Sequence, residues 1–134
     1  MSVTVPQSVA PMIPRTLFNS DHEAFRTTVR RFFETELAPH YEKWEEQQHI
    51  DRNIWNKAGE LGLLCPTMPE QYGGAGVDRL YSMILMEEQA RVGDSASGFS
   101  LHSDTVANYI NNFGTEEQKM AWLPKTCSDE VEGS

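Results

Sequence analysis

The sequence predicts an all-α fold of five helices and one long loop. Apolar residues recur every three to four positions through most of the chain, and residues that start or stop helices bracket each run. No alternating polar–apolar segment is long enough for a useful strand.

Ser20 and Glu23 have the spacing of a capping box, which satisfies two orphan amides at a helix start. Phe25, Val29, Phe32, Phe33 and Leu37 then form one apolar stripe, with Arg26, Arg30, Arg31 and Glu34 around it. Pro39 removes one helical N–H and bends the rod. Tyr41 and Trp44 continue the stripe, so the helix is expected to run on to about Gln47.

Asp51 is placed to cap a second helix carrying Ile54, Trp55, Ala58 and Leu61, with Gly62 as its left-handed terminator. A third helix follows Asp78. Its apolar run Met83–Met86 wraps more than one face, which predicts the most buried helix. A fourth spans about 97–112, with Leu101, Val106, Tyr109 and Ile110 on its apolar side. Thr115 and Gln118 form another capping box, opening a fifth helix with Met120, Trp122 and Leu123.

The 134 residues hold 11 Lys and Arg against 20 Asp and Glu, a formal charge of −9. That sign opposes nonspecific binding to nucleic acid or an anionic membrane surface. No apolar run of bilayer length is present, and the length fits one domain. Residues 1–18 carry no acid, one base (Arg15) and three of the seven prolines, and read as a flexible arm. Residues 19–127 form the helical domain. Residues 128–134, with Asp129, Glu130 and Glu132, read as an acidic tail.

The loop from Cys65 to Gly76 invites a phosphate-binding reading because of its glycines. It lacks the Lys-Ser/Thr pair of a P-loop, and Arg79 stands where a dinucleotide motif starting at Gly74 needs glycine. A structural turn is expected. His22 has Arg26, not a second histidine, four positions on, so no zinc helix forms; His40, His49 and His102 share no ligand spacing. Cys65 and Cys127 are expected to be ordinary thiols. Glu87 and Glu88 lie about 100° apart on a helical wheel, so they form no paired-carboxylate site and one of them faces water.

Trp55–Leu64, Pro69–Gly76, Met86–Ala90, Phe99–Ser103, Phe113–Lys119 and Trp122–Pro124 resemble, in order, the N-terminal domain of the acyl-CoA dehydrogenases. Phe25–Pro39 is similar to that family's first helix, and the likeness runs from about Arg15 to Cys127 without an evident gap. The Ser-Leu-His-Ser stretch at 100–103 is most like the long-chain and bacterial long-chain-like members.

The resemblance implies a five-helix orthogonal/up-down bundle. It implies a complete enzyme that uses FAD to oxidise acyl-CoA to trans-2-enoyl-CoA, with electron-transfer flavoprotein as acceptor and a tetramer as the usual assembly. The compartment implied is the cytoplasm for a bacterial source, or the mitochondrial matrix for a eukaryotic one. Flavin contacts and the catalytic glutamate lie in the family's later domains, so this segment is expected to hold no FAD and to be inactive alone. Carried over through Phe99–Ser103, the acyl-cavity residues are Ser97, Gly98, Leu101 and Thr105. The alternative is a free-standing helical interaction module that reuses the domain.

Overall fold

The computed structural model describes residues 13–128. Most of the expected arm (1–12) and of the acidic tail (129–134) lies outside the described residues. Among the described residues all regular structure is helical and falls into five rods joined by one long loop.

The first rod begins with α1 (Ser20–Phe32). Its cap is Asn19, one residue before the expected Ser20. The Asn19 side chain accepts the His22 amide at 3.0 Å, and His22 Nδ1 accepts the Asn19 amide at 3.0 Å. A histidine thus does the work expected of Glu23, because its unprotonated ring nitrogen is an acceptor at the right reach. That bond assigns the proton to Nε2, which lies 3.0 Å from the Asp78 carboxylate. Beyond α1 the chain widens into a π turn (Phe33–Leu37), tightens into a 3-10 turn (Ala38–His40) and continues as α2 (Tyr41–Gln47). The rod therefore leaves α geometry around Pro39 and runs on to Gln47, as its stripe predicts.

Asp51 precedes α3 (Arg52–Glu60) but its side chain does not cap it. The carboxylate instead accepts Gln47 Nε2 at 2.9 Å and Lys43 Nζ at 3.1 Å, and these bonds pull its pKa down to about 2. The charged donor of Lys43 competes better for the carboxylate than a backbone amide does. Gly62 ends α3 with φ +72°, and the Leu63 amide reaches back to the Ala58 carbonyl at 2.9 Å. That is the closure the sequence predicts.

The helix α4 (Arg79–Arg91) is not the most buried one. Ile84 and Leu85 face inward, while Met83 and Met86 are 40% and 42% exposed. Ser82 and the charged Glu88 occupy the rest of its inward face. The most deeply buried stripe belongs to the first rod: Val29, Phe32, Phe33 and Leu37.

The fourth rod contains a six-residue π segment (Leu101–Val106) followed by α5 (Ala107–Phe113). Its buried side is the expected apolar one only in part: Ile110 packs half-buried against the smaller core and Val106 is half-buried. His102, Ser103 and Ala107 point inward, while Leu101 and Tyr109 are 51% and 68% exposed. A π turn holds more residues than an α turn, so wheel positions drawn at 3.6 residues drift off the real face. The last helix, α6 (Glu116–Ser128), opens with the expected Thr115/Gln118 box. Of its predicted apolar residues only Leu123 is buried, with Met120 and Trp122 exposed.

Two cores result. The larger joins Val29, Phe32, Phe33 and Leu37 to Trp44, Trp55 and Phe99. The smaller gathers Cys65, Met68, Tyr72, Ala107, Leu123 and Cys127 beneath the long loop.

Candidate functional site

The glycine-rich loop is closed upon itself. The amides of Gly73, Gly74, Gly76 and Val77 donate to the carbonyls of Glu70, Pro69, Met68 and Pro66 at 2.9–3.3 Å. A Cβ at Gly74 would overlap the Met68 carbonyl, so glycine is required there by its own loop. Those four amides are committed within the loop and are not free to cradle a phosphate. Among the described residues no three His, Cys, Asp or Glu side chains gather as a metal site.

The four expected acyl-cavity residues separate into two kinds. Ser97 is buried and committed to the turn after α4. Its hydroxyl donates to the Asp94 carboxylate, and Gln89 Nε2 lies 3.1 Å from the same oxygen. Gly98, Leu101 and Thr105 lie along the open side of the fourth rod. Gly98 has φ +70° and empty space where a side chain would stand. Leu101 is half exposed and Thr105 is exposed. So spacing by four does not put Ser97 on the same face as Leu101 and Thr105.

The other side of that rod is clamped. His102 Nε2 lies 2.8 Å from the Thr126 carbonyl, and its ring packs edge-on against Trp55 at 5.0 Å. Ser103 Oγ accepts the Cys65 amide at 2.9 Å. These contacts fix the rod to α3, α6 and the loop, which orients the Gly98–Thr105 side outward. Burial pushes the Asp104 carboxyl up. Cys65 and Cys127, 62 positions apart, share the smaller core. The neighbouring Cys127 thiol and burial push the Cys65 thiol up, while Cys65 draws Cys127 down.

Neither glutamate of the Glu87–Glu88 pair simply faces water. Glu88 is 2% exposed and is held by Arg26, Arg30 and Arg91. Glu87 is held by Arg26 at 2.8 Å and by Arg15, at the end of the expected arm. The inward roles of His102 and Ser103 carry no sequence signal, since both are polar. The Arg26–Arg30 spacing of four opposite a Glu-Glu pair is the signal from which the ion cluster could have been read.

The profile of the acyl-CoA dehydrogenase N-terminal domain matches residues 19–130. The chain belongs to the acyl-CoA dehydrogenase family. Long-chain specific acyl-CoA dehydrogenase of Mus musculus mitochondria is 42% identical over 120 residues, which are 90% of this chain and 28% of that protein. An acyl-CoA dehydrogenase from Geobacillus kaustophilus superposes with a TM-score of 0.83 at 44% identity, over 87% of this chain and 31% of that one. One from Bacillus anthracis, complexed with FAD, gives 0.74 at 34% identity, over 87% and 20% of the two chains. The chain spans less than a third of the length of these acyl-CoA dehydrogenases, and what it shares with them is the helical N-terminal domain.

Proposed function

We propose that this chain is the N-terminal helical domain of an FAD-dependent acyl-CoA dehydrogenase and that its Gly98–Leu101–Thr105 side forms part of the acyl-chain cavity. The observation that carries the reading is an exposed leucine beside an empty glycine position, on a rod whose opposite side is pinned by His102 and Ser103. An apolar side chain left half in water on a rigid element suits a wall that acyl methylenes complete. Ser97 contributes by holding the turn that sets Gly98, since its hydroxyl is already bonded to Asp94.

The bound flavin supplies the redox chemistry of such an enzyme. The residues of this segment bind and orient the acyl tail, and the carboxylate base comes from elsewhere in the complete protein. Acyl-CoA as substrate, electron-transfer flavoprotein as acceptor and a homo-oligomeric assembly belong to the same proposal, as does a bacterial cytoplasmic or mitochondrial matrix location.

The test is the acyl-chain profile of kcat/KM in a complete enzyme carrying this domain. Thr105→Leu should penalise long chains over short ones, by about 1 kcal/mol or a little more for each methylene excluded. Equal loss at every chain length would remove these residues from the cavity.

A further inference from the structure

Two thiols lie together on the clamped side of the fourth rod. Cys65 opens the long loop and is fully buried, and Cys127 sits in the last turn of α6 at 6% exposure. Consecutive residues of the rod hold their backbones. Ser103 Oγ accepts the Cys65 amide at 2.9 Å, and His102 Nε2 donates to the Thr126 carbonyl at 2.8 Å, the carbonyl of the peptide unit that leads into Cys127. Neighbouring residues of a chain are about 3.8 Å apart, so this clamp gathers two cysteines that are 62 positions apart in sequence. The loop packs directly on that turn of α6: a Cβ at Gly73 would stand 3.6 Å from the Cys127 Cβ.

The two cysteines are not equivalent. Cys65 holds a left-handed φ of +50°, kept by the Ser103 bond and by the Met68 amide, which donates to its carbonyl at 3.1 Å. A bond to Cys127 and burial push the Cys65 thiol up, so it keeps its proton. The same bond draws the Cys127 thiol down, toward the thiolate that reacts with oxidants. Cys127 is also the one within reach of solvent. It is the penultimate residue of α6, and a helix end opens at far lower free energy than a core does. Cys65, at 0% exposure, is shielded from direct attack.

We propose that Cys65 and Cys127 are a redox pair that closes to a disulfide when the chain meets hydrogen peroxide, Cys127 reacting first and Cys65 resolving it. The Cys127 sulfur attacks one peroxide oxygen. The S–O bond forms, the O–O bond breaks, and the thiol proton leaves with the departing hydroxide as water, so that Cys127 becomes a sulfenic acid. The Cys65 sulfur then attacks the Cys127 sulfur. The S–S bond forms, the S–O bond breaks, and the Cys65 proton leaves with the hydroxide as a second water. Two thiols lose two electrons and the peroxide gains them. The link fastens the loop to α6 over the smaller core and closes a long stretch of chain, which stabilises the oxidised form by restricting the unfolded state.

The test treats the reduced 134-residue chain with hydrogen peroxide in native buffer, caps the remaining thiols with iodoacetamide and maps tryptic peptides without reductant. The expected product is a monomer lighter by two hydrogens, with peptide 58–79 joined to peptide 126–134 and the link released by dithiothreitol. The linked chain should melt above the reduced one. In Cys65→Ala, Cys127 should stop at a sulfenic acid that dimedone traps. In Cys127→Ala, Cys65 should lose its thiol about tenfold more slowly than Cys127 does in Cys65→Ala. The mapping needs neither variant, so a variant that misfolds does not shelter the proposal. Two free thiols after peroxide, singly oxidised cysteines without the link, disulfides only between chains, or a linked chain that melts below the reduced one would each overturn it.

Discussion

Arg30 grips the buried Glu88 carboxylate with two bonds, Nε to Oε2 at 3.0 Å and Nη2 to Oε1 at 2.9 Å, and so locks α1 to α4. Arg26 and Arg91 add a bond each, at 3.1 and 3.2 Å. Burying a charge is costly, and a cluster of this kind becomes a liability once one partner is removed. Glu88→Gln is therefore expected to destabilise the chain by about 3–5 kcal/mol, read from urea unfolding, because the arginines lose their common counter-charge.

The same cluster sets a pH response. Burial pushes the Glu88 carboxyl up, but bonds from Arg30 and Arg26 outweigh it and hold the group below its ordinary 4.5. A carboxylate with a depressed folded-state pKa stabilises the fold above its unfolded value, and that contribution disappears as pH falls through the folded value. Melting temperature should thus fall on acidification below about pH 4.5. In Glu88→Gln the fall should be shallower, with the remainder owed to Glu87 and the other paired carboxylates. An unchanged slope would place the acid-labile contribution elsewhere.

Asn19 and Ser20 separate two frames for the start of α1. Asn19 is the cap in the structure, whereas Ser20 is exposed in the first turn. Asn19→Ala should cost about 1 kcal/mol. Ser20→Ala should be near neutral, since alanine is the better helix former. The reverse order in paired thermal melts would restore the Ser20–Glu23 frame.

Gly74 and Gly62 show two different uses of glycine. A Cβ at Gly74 would overlap the Met68 carbonyl, which belongs to backbone and cannot swing away. At Gly62 nothing lies within 4 Å of the added atom, and only the positive φ of 72° resists substitution. Gly62→Ala should cost about 1–2 kcal/mol, the ordinary left-handed penalty. Gly74→Ala should exceed it, because the loop over the smaller core must shift. Equal costs would mean that the loop yields freely.

The helices are legible because their apolar stripes and end signals are local, and the break in α geometry at Pro39, the stop at Gly62 and the start at Thr115 follow from single-residue chemistry. What escaped was rotational phase and long-range charge. Met83 and Met86 looked buried because nothing in α4 itself tells that Glu88 needs the inward face to meet α1. The fourth rod was misphased because the π segment at Leu101–Val106 turns the helix by an amount its composition does not announce. Of the proposed cavity residues, Gly98, Leu101 and Thr105 lie on the open side. Ser97 does not, because its hydroxyl donates to Asp94 in the turn and accepts from Gln89 of α4.

Leu101 provides the sharpest separation of wall from core. An aliphatic residue buried as ordinary packing loses about 2–5 kcal/mol on truncation to alanine. Leu101 is 51% exposed, and the inward positions beside it are taken by His102 and Ser103. Leu101→Ala in this chain should therefore change the unfolding free energy by less than about 1 kcal/mol. His102→Leu, one residue on, should cost about 1–3 kcal/mol, because the buried Thr126 carbonyl loses the donor 2.8 Å away. In a complete enzyme the ranking should invert for specificity. Leu101→Ala should shift the acyl-chain profile while His102→Leu lowers stability without reshaping it. A large stability loss at Leu101 in the isolated chain would make it a core residue, and the cavity wall would have to be sought elsewhere on the rod.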